Sequence, residues 1–151
     1  MENDDARAAL DLVSRSDRKM VGQTGWPLWR HAAFGLVQAL FVLAWGLPVA
    51  AMAATIVVAI AATSWIVHDD RRRYGMFVDG WSSSAARPAT WASVALFVGA
   101  LAILFAAGDG PNHWSPIVPI VTAVVFVGST LLSIWWQKLY HADMARARSD
   151  G

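Results

Sequence analysis

The sequence predicts an all-α fold: a four-helix transmembrane bundle of two helical hairpins, preceded by a cytoplasmic amphipathic helix. Three observations predict it. The 151 residues are 56% hydrophobic and only 15% charged, with a mean hydropathy of +0.42, where an average soluble domain is about 25% charged. Three stretches contain no Asp, Glu, Lys or Arg, namely 31–68, 88–108 and 110–137, of 38, 21 and 28 residues. One helix needs about 20 apolar residues to cross the hydrocarbon core. Finally, the twelve basic residues are confined to three places along the chain, which orients the spans.

The first uncharged run is too long for one crossing. It divides at Gly46-Leu47-Pro48, because Pro48 lacks the N–H that a continuing helix needs and suits the first turn of a new one. Four spans result, at about 30–46, 49–68, 89–107 and 116–138, in one bundle over 30–140. Residues 1–29 form a cytoplasmic helix and linker. Asn3 or Asp4 caps a helix from about Asp4 to Val21, acids favour its first turn, and Ala6, Leu10, Val13 and Val21 trace an incomplete apolar stripe. Solvated, partner-docked and interfacial placements of that helix all stay open. The first thirty residues carry five basic and five acidic side chains and no apolar run of signal-peptide length, so the first span serves as an uncleaved insertion signal. Residues 141–151 follow as a cytoplasmic tail, a fraying extension of the fourth helix.

Arg7, Arg15, Arg18, Lys19 and Arg30 precede the first span, Arg71, Arg72, Arg73 and Arg87 lie in the central connection, and Lys138, Arg146 and Arg148 follow the last. The two other connections have no basic residue. Lys and Arg in short loops are retained on the cytoplasmic side during insertion. This rule places both termini and the central loop in the cytoplasm. Asp109, the one acid of the far side, weighs little in that sorting.

The stretch HDDRRRYGMFVDGW, 68–81, is the only dense patch of charge in the middle of the chain. Its arginines hold the end of the second span at the headgroups and attract anionic lipid by about 1 kcal/mol per basic residue, partly offset by Asp69 and Asp70. Gly75 and Gly80 let the chain turn, so that Met76, Phe77, Val78 and Trp81 lie back on the interface as a short hook. Arg71, Arg72, Arg73, Tyr74, Phe77 and Trp81 are therefore the candidate contacts to lipid or to a partner. Ser82 to Pro88 is the linker to the third span.

Within the spans, rows of small residues at spacing four allow close helix approach: Ala51, Thr55, Ala59 and Thr63 in the second, Gly35 and Ala39 in the first, Ala95 and Gly99 in the third, Ser129 and Ser133 in the fourth. Pro119 and Gly128 are candidate bends of the fourth span. Eight of the nine tryptophans fall at span ends, forming an aromatic belt: Trp26, Trp29, Trp65, Trp91, Trp135 and Trp136 on the cytoplasmic side, Trp45 and Trp114 on the other. No charged residue falls inside a span, which disfavours ion pumping, proton coupling and voltage sensing. Gln38 is the one strongly polar residue at depth, and Thr55 or Thr122 is its expected hydrogen-bond partner.

Little in the chain points to chemistry. With no cysteine there is neither a disulfide nor a thiolate site. The zinc-hydrolase, P-loop and G-x-S-x-G patterns are absent, and Gly80-Trp81-Ser82-Ser83-Ser84 lacks the closing glycine of the last. His31, His68 and His141 share one membrane depth with Asp70 and Asp143 beside two of them, the only constellation of metal-ligating types. Histidines at helix ends also serve as polar anchors. No metal, cofactor or nucleic acid is expected.

Trp26-Pro27-Leu28-Trp29-Arg30-His31 leading into Gly35-Leu36, then Arg71-Arg72-Arg73-Tyr74-Gly75-Met76-Phe77-Val78 after the second span, resembles an uncharacterised family of small four-helix bacterial integral membrane proteins. That family is common in actinobacteria and carries an R-R-R-x-G-hydrophobic-aromatic cytoplasmic loop. The resemblance covers about residues 5–90, and Ala32 stands where the family has a proline. It implies a bacterial cytoplasmic membrane and four helices, and no reaction. The reading that follows is a non-enzymatic accessory or scaffold subunit that presents a cytoplasmic face to a protein partner or anionic lipid, alone or as a homo-oligomer. A small-molecule transporter or channel component is the first alternative. A membrane enzyme using the His/Asp cluster is the second.

Overall fold

The computed structural model describes residues 26–74, 81 and 83–149. The proposed amino-terminal helix and most of the hook, including Phe77, lie outside the described residues. Four helices make up the rest: α1 Leu28–Trp45, α2 Val49–Tyr74, α3 Arg87–Ala106 and α4 Ile117–Ser149. All four are long and apolar enough to cross a membrane. The fold is an all-α four-helix bundle, and its four candidate spans fit a multi-pass membrane protein.

The helix boundaries follow from local chemistry. α1 starts after Pro27, whose carbonyl accepts from the Arg30 N–H at 2.9 Å. Gly46, Leu47 and Pro48 form the turn to α2, and the Pro48 carbonyl accepts the Met52 N–H at 2.8 Å. Pro88 sits in the first turn of α3, where a missing N–H costs nothing. The same holds for Pro119, two residues into α4, so it does not interrupt that helix as a bend would require. Between α3 and α4, Gly108 and Asn112 take positive φ (78° and 67°) in a tight turn closed by the Gly110–His113 bridge.

α2 is longer than the uncharged stretch alone predicts. It continues through His68-Asp69-Asp70-Arg71-Arg72-Arg73-Tyr74, so the first half of the charged patch is a helical extension rather than a loop. Once a helix has crossed the apolar layer, charged side chains projecting into the headgroup region impose no stop on its backbone.

α4 packs extensively against α1 and against α3, whereas α2 packs on α1. The spatial order is therefore α2–α1–α4–α3, with α2 as a satellite: only 6% of its membrane-length stretch is buried. Val57, Val58, Ile60 and Trp65 are exposed on it, a surface suited to hydrocarbon. The other three helices share a core of Val42, Ala100, Leu104, Val118, Val121 and Val125. A second cluster, Ala86, Ala89 and Trp136 with Trp26, Leu139 and Tyr140, closes the opposite end.

The small residues of α1 and α4 do what their spacing predicts. Gly35 and Ala39 are buried, and a Cβ on Gly35 would overlap the Thr130 hydroxyl and lie 2.7 Å from the Phe126 carbonyl oxygen. On α2 only Ala59 of the row is buried, while Thr55 and Thr63 bond their own helix at the Ala51 and Ala59 carbonyls. The α3 pair fails as a packing device. Ala95 is exposed and a Cβ on Gly99 would meet nothing within 4 Å. α3 turns Ala100 inward, and Leu96 covers Gly128 of α4.

Candidate functional site

Because the helices alternate in direction, the start of α1, the end of α2, the start of α3 and the end of α4 meet at one end of the bundle. Side-chain contacts confirm the grouping. Arg30 pairs with Asp70, Ser83 Oγ donates to Asp143 Oδ2 at 2.6 Å, and Trp26 stacks on Trp136, which stacks on Tyr140. At the far end Trp45 Nε1 donates to the Asp109 carbonyl at 2.9 Å and Ser115 Oγ to Asp109 Oδ2 at 2.8 Å. Every Lys and Arg among the described residues lies at the first end, where Arg71, Arg72, Arg87, Lys138 and Arg146 are exposed.

Arg30 differs from the rest. It is 4% exposed and Asp70 5%, so the pair is buried at the α1–α2 contact, with the Arg30 guanidinium 4.9 Å from the Trp26 ring centre. The sequence marks both as headgroup flanks. Their pairing depends on the helical extension of α2, which carries Asp70 alongside the first turn of α1. A buried pair of this kind is held by the penalty of separating it.

His31 does not join a metal cluster. Gln137 Oε1 can only accept, so His31 Nε2–H donates to it at 2.6 Å, and Nδ1 then accepts from Ser133 Oγ–H at 2.8 Å. Gln137 Nε2 in turn faces His141 Nε2 at 3.4 Å. His68 is exposed, Asp70 is held by Arg30 and Asp143 by Ser83. Among the described residues no three His, Asp or Glu side chains are grouped to hold a metal. The His31 network instead ties α1 to α4.

Gln38 is bonded on both sides, though not to the threonines named from the sequence. Its Nε2 donates to Ser93 Oγ at 3.0 Å and its Oε1 accepts from Ser129 Oγ at 2.8 Å, joining α1 to α3 and α4. Thr55 points to its own helix, and the buried Thr122 hydroxyl has no hydrogen-bond partner among the described residues. The spacing of serines on helices whose rotation is unknown held no signal for this choice.

The tryptophans form two populations. Trp29, Trp65, Trp81, Trp91, Trp114 and Trp135 are exposed, with Trp29 beside Trp65 and Trp81 edge-on to Trp91 at 5.3 Å. Trp136 is buried in the stack with Trp26 and Tyr140 and belongs to the packing.

No family model, curated protein or solved structure matches the chain.

One feature was not legible in the sequence: a lateral cleft of about 720 Å³ whose floor is α1 with part of α4 and whose walls are α2 and α3. Phe34, Val37 and Phe41 line the floor, Ile66 and Val67 one wall, Val94 and Phe97 the other. Arg30, Asp70 and Trp81 lie at its basic end. Its size falls within the roughly 300–1,000 Å³ of small-molecule sites.

Proposed function

We propose that the protein is a non-enzymatic accessory or scaffold protein of the bacterial cytoplasmic membrane whose basic end faces the cytoplasm and engages anionic lipid. The observation that supports this reading is the collection of all described Lys and Arg residues at one end of the bundle. Arg71 and Arg72 are exposed on the emerging turn of α2 and Arg87 on the first turn of α3, at the level of the Trp81–Trp91 pair. Cations beside an aromatic belt meet lipid phosphate, each contributing about 1 kcal/mol at an anionic surface. The resemblance in the entry to the first span and in the Arg71–Val78 motif supports the same setting, with membership of that bacterial family as part of the proposal.

Orientation is tested with single cysteines and an impermeant thiol reagent in intact cells. Ser84→Cys on the basic end should resist labelling and His113→Cys on the far end should react. Both positions are exposed, whereas Ser83 is buried on Asp143 and Asn112 holds a positive φ. Labelling of Ser84→Cys from outside overturns the reading.

A further inference from the structure

We propose that the cleft between α2 and α3 is a binding site for one anionic glycerophospholipid, with its acyl chains in the apolar trough and its phosphate at the basic mouth. The site rests on the reading that the basic end engages anionic lipid, and it names where one such molecule is held.

Four properties of the cleft select this occupant. The first is length. From Arg30 to Phe41 the floor runs eleven residues along α1, or about 17 Å. One leaflet of hydrocarbon is about 15 Å deep, half of a ~30 Å core. The trough therefore spans the depth of a lipid chain from headgroup level to midplane.

The second is its opening. The trough lies on the side of the bundle between two spans, α2 and α3, and is open laterally, so flexible acyl chains can enter it from the surrounding hydrocarbon without displacing a helix.

The third is the chemistry of the lining. Its polar members are already engaged within the protein: Gln38 with Ser93 and Ser129, Thr63 with the Ala59 carbonyl, Ser133 with His31, Arg30 with Asp70. A polar substrate entering the trough would find these groups spent. Hydrocarbon needs none of them, and an empty apolar trough open to the bilayer would forfeit dispersion contacts along its walls.

The fourth is charge at the mouth. Arg71 and Arg72 follow directly on Asp70 in α2 and Arg87 opens α3; all three are exposed at the basic end of the bundle, just beyond the residues that line the cleft. Among the described residues the acids at this end are Asp69, Asp70 and Asp143, of which Asp70 is paired with Arg30 and Asp143 accepts from Ser83. The Arg30–Asp70 pair is neutral as a unit, so the positive charge at this level comes from the exposed arginines beside the cleft, at the depth of a lipid phosphate.

The experiment counts lipids on the full-length protein in mild-detergent micelles by native mass spectrometry during titration with phosphatidylglycerol or phosphatidylcholine. Wild type should hold one phosphatidylglycerol tightly and further molecules loosely, with phosphatidylcholine retained poorly. Val94→Trp and Ile66→Trp, which fill the trough from opposite walls, should each lose the tight molecule while keeping the loose preference for phosphatidylglycerol. Arg71→Gln, Arg72→Gln and Arg87→Gln together should lower the tight affinity roughly hundredfold. Tight retention unchanged in both tryptophan variants overturns the cleft site and leaves the basic-end reading intact. Equal retention of the two lipids by wild type overturns both. A lipid-free dimer that either tryptophan variant dissociates would show that a second copy covers the cleft instead.

Discussion

Removing one member of the Arg30–Asp70 pair should be far more harmful than removing both. Each side chain is buried, at 4% and 5% exposure, and taking away one partner of a buried pair costs about 3–5 kcal/mol because the other charge is stranded. Asp70→Leu should fall at the lower end, since the Trp26 ring 4.9 Å from the guanidinium still holds the cation by about 0.5–2 kcal/mol. Arg30→Met leaves the carboxylate without that relief and should cost the full amount. The double variant Arg30→Met/Asp70→Leu replaces the pair with apolar volume and should return close to wild type. Reversible unfolding in mixed micelles of mild detergent and dodecyl sulfate, followed by circular dichroism, provides the four corners of the cycle. With the double variant near wild type, the coupling equals the sum of the two single-variant costs, about 8 kcal/mol, above the ~0.5–3 kcal/mol usual for contacting residues. Single-variant costs that add to within about 0.5 kcal/mol would refute the claim that these two groups hold α2 on α1.

The same assay distinguishes the two glycine positions: Gly35→Ala drives a Cβ against the Phe126 carbonyl and should cost about 1–3 kcal/mol, whereas Gly99→Ala meets open space and should gain up to about 1 kcal/mol of helix propensity. Gln38→Leu strands Ser93 and Ser129 and should cost about 0.6–1.7 kcal/mol, the range measured for interhelical hydrogen bonds in a membrane bundle; no change on unfolding would mean that the amide is not a structural tie. Because both ring nitrogens of His31 are engaged, elemental analysis of the purified protein should find no stoichiometric zinc, and one zinc per chain that disappears in His68→Ala would move the enzyme reading to the front.

The number of helices and the break at Pro48 were legible in the sequence because they depend on one-dimensional quantities: the length of uncharged runs against the thickness of hydrocarbon, and a missing N–H. Gly35 and Ala39 were legible for a related reason, since a backbone contact at that distance admits only small side chains. Ala95 and Gly99 have the same spacing and pack on nothing, which shows that spacing marks a face without saying what the face meets. The partners of Gln38 and His31 were illegible on the same account. In helices that are apolar all round, no amphipathic stripe sets the rotation, so the choice among Thr55, Thr122, Ser93 and Ser129 was open until the helices were placed.

By itself the sequence determined four apolar helices, their alternation, and the gathering of cations at one end, because each follows from composition along the chain and from the cost of leaving charge or unpaired backbone in hydrocarbon. Tertiary structure alone decided the order α2–α1–α4–α3, the burial of Arg30 on Asp70, and the trough between α2 and α3. The physical reason is that lipid solvates every face of such a helix almost equally well. Neighbours are then chosen by a few close contacts and hydrogen bonds between residues as far apart in sequence as His31 and Gln137, and linear pattern carries no trace of those.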